Sequence, residues 1–137
     1  MRVTEEERRE HEVYRDLEDL ASEMNYTVDA VVVEGPHDKK TLRLLGYNKP
    51  IILCSRLSHN EVADRAANKF SNVVILTDFD EQGNLLNKKL ANLFETRGVR
   101  VDSFYRRRFR KMLKKARIST IESIYSIKLE LFPFSSN

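Results

Sequence analysis

Residues 28–38 read VDAVVVEGPHD, and residues 73–83 read VVILTDFDEQG. Each is a short apolar run, rich in β-branched residues, that stops at an acid: Glu34 in the first, Asp78 and then Asp80 in the second. Unbroken apolar runs of this length suit strands buried on both faces, as in a parallel sheet. Two further runs belong to the same pattern, Pro50–Cys54 (PIILC) and Val99–Tyr105 (VRVDSFY). Helical spacing fills the gaps. A helix from about Asp38 to Leu45 turns Leu42 and Leu45 inward and stops at Gly46. Ser58 and Glu61 can form a capping box that opens a helix to about Phe70. A helix from about Gly83 to Arg97 carries Leu86, Leu90, Leu93 and Phe94 on one face and closes at Gly98. Strand–helix alternation of this kind predicts an α/β, Rossmann-like architecture: a four-stranded, mainly parallel sheet flanked by helices.

Extra helices are expected at both ends. Thr4 with Glu7 can cap a helix over 4–24, in which Val13, Leu17, Leu20, Ala21 and Met24 recur at helical spacing. Residues 106–117 read as a basic helix. Ser119 and Glu122 suggest a new cap, followed by a last apolar stripe of Ile121, Ile124, Ile127, Leu131 and Phe132, so that the tail 106–132 is basic and then apolar. With 137 residues and no linker or low-complexity block, one domain spanning 1–137 is expected.

Composition narrows the function classes. Apolar residues make up 41% and charged residues 33%, and there are only 4 Gly and 3 Pro, which excludes disordered and collagen-like chains. No run approaches the roughly 20 apolar residues of a membrane span. No apolar leader segment opens the sequence. A single cysteine, Cys54, leaves no internal disulfide and no thiolate cluster, and a cytoplasmic location is expected. The net charge of +3 hides an asymmetry. Residues 1–24 carry nine acids and four bases, whereas residues 105–117 carry eight bases and no acid. Such a split points to an acidic surface at one end and a polyanion-facing surface at the other.

In open parallel sheets, ligands gather at the carboxyl ends of the strands. Acids that directly follow buried strands are costly unless something compensates their desolvation and mutual repulsion. A divalent cation with hard oxygen ligands does so. Asp78-Phe79-Asp80 alone has a plainer reading, in which Asp80 or Glu81 caps the helix that starts near Gly83.

The combination is more specific. Glu34-Gly35-Pro36-His37-Asp38 ends one valine-rich strand; Asp78-Phe79-Asp80-Glu81-Gln82-Gly83 ends another, with one strand–helix unit between. Together these resemble the Toprim family, the catalytic domain shared by topoisomerases, bacterial-type primases, OLD-type nucleases and the M5 class of ribosomal RNA maturases. The matching features are the acid of the E-G pair, Asp38 three residues after its glycine, the D-x-D, and Gly83. The resemblance covers about residues 27–105 and implies the Toprim version of the α/β fold. It implies that Glu34 is the general acid/base or a metal ligand in phosphodiester chemistry. It implies that Asp78 and Asp80 coordinate Mg2+, with Mn2+ as an alternative. There are departures. Asn84 stands where topoisomerases of the family usually carry a further acid. No separate domain supplies a nucleophilic tyrosine, and one cysteine with three histidines cannot build the zinc domain of the primases. The small M5-like nucleases fit the length best.

Tyr105–Arg117 interleaves its cations with Phe109, Met112, Leu113 and Ala116 at helical spacing. One face can therefore dock, leaving Arg106, Arg107, Arg110, Lys111, Lys114 and Lys115 for the phosphates of RNA or DNA. The competing reading makes this helix a charge partner of the acidic helix, with a neighbouring subunit of an oligomer as one source of that partner. No large aromatic face accompanies the charges, so no membrane role is expected. The function expected is magnesium-dependent nuclease or nucleotidyl-transfer chemistry on nucleic acid, RNA processing included. The alternative is a non-catalytic module that grips metal and nucleic acid, or a partner protein.

Overall fold

The computed structural model describes residues 4–124. Its element order is α1 (Glu5–Thr27), β1 (Ala30–Val33), α2 (Pro36–Leu44), β2 (Ile51–Leu53), α3 (His59–Lys69), β3 (Asn72–Ile75), α4 (Glu81–Thr96), β4 (Arg100–Asp102) and α5 (Phe104–Lys115). All three strand pairings are parallel, in the order β2-β1-β3-β4. The fold is therefore α/β with an all-parallel four-stranded sheet, which sharpens the expectation of a mainly parallel one.

Alternation along each strand divides the core into two layers. Val31, Val33, Val74 and Leu76 pack beneath α1, α2 and α5, where Leu17, Met24, Leu42 and Phe109 are buried. Ala30, Val32, Val73 and Ile75 face α3 and α4, against Val62, Ala66, Leu90 and Phe94. Burying a side chain of this size stabilises by roughly 1.5–3 kcal/mol, so the strands are held from both sides. The apolar stripe of α1 lies in the first layer, as its spacing predicts, and its acids face water.

Side-chain caps move several boundaries. α2 begins at Pro36, because proline suits the first helical position and Asp38 Oδ2 accepts the Gly35 N–H at 3.0 Å. β4 stops at Asp102 rather than Tyr105, because Asp102 Oδ1 accepts the Phe104 N–H at 2.8 Å and starts α5 there. Ile121 and Ile124 are fully buried. Ile127, Leu131 and Phe132, the rest of the expected last stripe, lie outside the described residues.

The order 2-1-3-4 places the switch of winding direction between β1 and β3. Beyond the strands, Leu76 donates to Val32 O at 2.8 Å and Ser55 donates to Glu34 O at 3.0 Å. The carboxyl end of β1 is thus clamped on both sides, and the ends of β1 and β3 emerge as neighbours.

Candidate metal and nucleic-acid site

Glu34 leaves β1 and Asp78 follows β3 at that switch point, where a crevice opens between neighbouring strand ends. Their contact is direct: Glu34 Oε2 accepts the Asp78 backbone N–H at 2.7 Å. Both residues are half-buried. Burial pushes the Asp78 carboxyl up to about 7, with the negative charges of Glu34 and then Asp38 adding to the shift. The Ile121 N–H, at 3.4 Å from Asp78 Oδ1, opposes it. Asp38 is buried, and its carboxyl is likewise raised, first by burial and then by Glu34 and Glu122.

Asp80 is placed differently. Its Oδ1 accepts the Gly83 N–H at 2.8 Å, so it serves as the N-cap of α4, and it is exposed. The plainer reading of Asp80 therefore holds in this structure, two residues from the carboxylate pair. Among the described residues, no three His, Cys, Asp or Glu side chains are gathered as a ready metal cage. Glu34 and Asp78 still fit a hard divalent cation by donor chemistry and by place. Magnesium commonly takes only one or two carboxylates and completes its shell with water and substrate phosphate. Burial first, and then the charges of Glu34 and Asp38, disfavour an ionised Asp78, and a bound cation would offset both.

Gly83 has a steric reason. A Cβ there would overlap the Asp78 carbonyl, so the first turn of α4 closes onto the strand end only with glycine. Thr77 Oγ1 fastens the same contact by donating to Gly83 O at 2.7 Å.

The basic segment corrects one expectation. Arg106 is not free for phosphates: it is 6% exposed. Its Nη1 donates to Ile75 O at 3.1 Å and Thr77 O at 2.8 Å, and its Nη2 donates to Asp78 O at 3.1 Å and Asn84 Oδ1 at 3.0 Å. β4 pairs with β3 only as far as Val74, so the guanidinium takes up carbonyls that β4 is too short to reach. Burial and the neighbouring Arg110 lower the Arg106 pKa to about 10, while Asp78 and Glu34 oppose the drop. The signal was present in the sequence, because Arg106, Phe109 and Leu113 share the spacing of one inward helix face.

The remaining predicted cations, Arg107, Arg110, Lys111, Lys114 and Lys115, are exposed. Arg107 donates to Ser103 Oγ at 2.9 Å and Arg110 to Asn84 Oδ1 at 2.8 Å. α5 packs along α1 through buried apolar residues, and Tyr105 Oη lies 2.7 Å from Thr27 Oγ1 and donates to Glu23 at 3.0 Å. No α5 cation has an ion-pair partner among the described residues. Within this chain, the charge-partner reading of this helix is not carried by ion pairs among the described residues. Cys54 is buried, which pushes its thiol up to about 11, the charge of Glu34 adding to the effect; it is a core residue. A groove of about 540 Å3 runs along the outer edge of β2, lined by Ile51, Leu53, Leu57, Arg56 and Arg65 among others, with no carboxylate in its lining. No described helix is long and apolar enough to cross a membrane.

Known proteins resemble this chain over most of its length. The family model of the Toprim domain matches residues 29–112. A UPF0292 protein of Thermococcus onnurineus is 38% identical over 124 residues, covering 90% of this chain and 92% of that protein. A UPF0292 protein of Pyrococcus abyssi is 40% identical over 120 residues, covering 88% and 89%. A protein from Aquifex aeolicus of known structure superimposes with a TM-score of 0.62 at 32% identity, covering 83% of this chain and 96% of that one.

Proposed function

Because the chain belongs to the Toprim domain family, whose domains are metal-binding and nucleic-acid-related, we propose that it is a divalent-metal-dependent enzyme acting on nucleic-acid phosphodiesters. The reaction is nuclease or nucleotidyl-transfer chemistry on RNA or DNA, in the cytoplasm. One observation carries this reading: Glu34 and Asp78 meet at the switch point, with the Asp78 carboxyl pushed up to about 7. Glu34, Asp78 and Asp80 would hold magnesium or manganese, which when bound would polarise a phosphate oxygen and steady the charge that develops on it. Glu34 is the general acid/base. The Asp78 N–H fixes its Oε2 at 2.7 Å, which leaves Oε1 for proton transfer. The exposed cations of α5 draw the polyanion to this end of the sheet.

A second reading, a module that binds metal and nucleic acid without turnover, is favoured by the commitment of Asp80 Oδ1 to the α4 cap. A cleavage screen over structured RNA, single-stranded DNA and duplex DNA, with magnesium or with chelator, separates the two. Magnesium-dependent cleavage that disappears in Glu34→Gln and Asp78→Asn supports the enzyme. Cleavage that survives both substitutions overturns the site. Salt-sensitive binding without cleavage selects the module.

A further inference from the structure

Asn84 Oδ1 accepts hydrogen bonds from two guanidiniums at once, Arg106 Nη2 at 3.0 Å and Arg110 Nη2 at 2.8 Å. Both cations also lie over the Phe79 ring, at 4.5 Å and 5.9 Å from its centroid. Two positive charges are therefore drawn together by a neutral amide and an aromatic face. No carboxylate forms an ion pair with either guanidinium among the described residues. The two roles differ. Arg106 is buried and spends its η nitrogens on backbone carbonyls and Asn84, whereas Arg110 is exposed and commits one of its five N–H donors to a described partner. Phe79, beneath them, lies between Asp78 and Asp80.

Cations brought this close leave an unmet demand for negative charge at the surface. A planar fork with open donors suits the bidentate geometry of a phosphate. Asn84 is what keeps the demand unmet. A carboxylate of the same size would accept the same two bonds and also cancel one of the positive charges.

Building on the function proposed above, we propose that Arg110, oriented by Asn84 and Phe79 and backed by the buried Arg106, forms an anion subsite. It takes one phosphate group of the substrate beside the Glu34–Asp78 pair. The other exposed cations of α5 contribute only a diffuse field, which is not bound to any one position.

Inorganic phosphate titrated into the full chain, followed by NMR at the backbone amides of Phe79 and Asn84, tests this. The unsubstituted chain should show saturable shifts. Arg110→Gln should weaken the apparent affinity at least tenfold. Asn84→Asp should do the same while keeping the shape of the acceptor. Arg110→Lys, which keeps the charge but loses the fork, should recover only part of the binding. Lys88→Gln with Lys89→Gln removes two exposed charges farther along α4 and should change affinity less than twofold. Thermal melts of each variant verify folding, and exposed Arg110 makes Arg110→Gln the variant that folds most readily. Absence of saturable shifts in the unsubstituted chain, or unchanged affinity in Arg110→Gln, overturns the subsite. The cleavage screen on the same proteins keeps the two proposals apart. Arg110-dependent phosphate binding in a chain that cleaves nothing leaves the subsite standing without the enzyme. Cleavage with no loss of phosphate affinity in Arg110→Gln removes the subsite alone.

Discussion

The inward and outward faces of α5 carry the same kind of charge and use it in opposite ways. Inward, Arg106 is desolvated, bonded to three backbone carbonyls and set among Asp78, Glu34 and Arg110. Outward, Arg107, Lys111, Lys114 and Lys115 stand in water with no ion-pair partner among the described residues. The difference shows that a run of cations is not one functional unit. Charges in low dielectric govern folding, protonation and the response to metal. Charges in high dielectric answer mainly to salt.

Arg106→Met should break the comparison most severely. It strips the Ile75, Thr77 and Asp78 carbonyls of their donor at a buried edge, and each unmet group there costs about 1–3 kcal/mol. A loss of about 3 kcal/mol is expected in urea unfolding, with Arg106→Lys recovering only part because the fork is lost. Full stability in Arg106→Met would mean that water replaces the guanidinium.

Divalent metal sharpens the inward side. At a hundredfold excess over its dissociation constant, magnesium or manganese should stabilise the chain by about 2.7 kcal/mol, read as a rise in Tm. The double substitution Asp78→Asn, Asp80→Asn should stabilise the metal-free chain and abolish the rise. Coincident melts with metal and with chelator would refute a functional metal site.

The pH dependence follows from the same carboxyl. The Asp78 carboxyl sits at about 7 in the folded chain, against about 3.9 when unfolded. The folded state therefore holds a proton that the unfolded state releases. In chelator, this contribution to stability should be complete below about pH 4 and lost as the pH rises through 7. Asp78→Asn should flatten that decline, and an unchanged curve would show that the proton resides on another group, such as Glu34 or Asp38.

Outward substitutions should matter least to the fold. Replacing Arg107, Lys111, Lys114 and Lys115 by glutamine should leave stability within about 0.5 kcal/mol. It should flatten the salt dependence of nucleic-acid binding by about 0.9 log units per log unit of salt for each duplex phosphate that is no longer neutralised. An unchanged slope would remove these four cations, though not Arg110, from the interface.

Much of this was legible in the residues. The apolar runs and the capping pairs Thr4–Glu7 and Ser58–Glu61 mark the elements, and both N-caps form as read. One feature was not legible. Strand–helix alternation says nothing about lateral order. Had β2 lain between β1 and β3, Glu34 and Asp78 would be a strand apart; it is the adjacency of β1 and β3 that brings them into contact. The burial of Arg106 follows from spacing rather than charge, because Phe109 and Leu113 on the same face point inward. Asp80 answers a local signal as well: its Oδ1 takes the capping bond that the sequence offers.

The short reach of β4 makes chain length between Asp102 and Arg106 a fixed quantity. Each helical residue turns the chain by about 100°, so one amino acid inserted after Ser103 would rotate Arg106 away from the sheet and bring a neighbour into its place. Substitutions along the water-facing side leave that phase intact. Homologous chains should therefore tolerate substitution on the water-facing side of this helix more readily than insertions and deletions at its start, a constraint on spacing that no residue-by-residue comparison of charge would reveal.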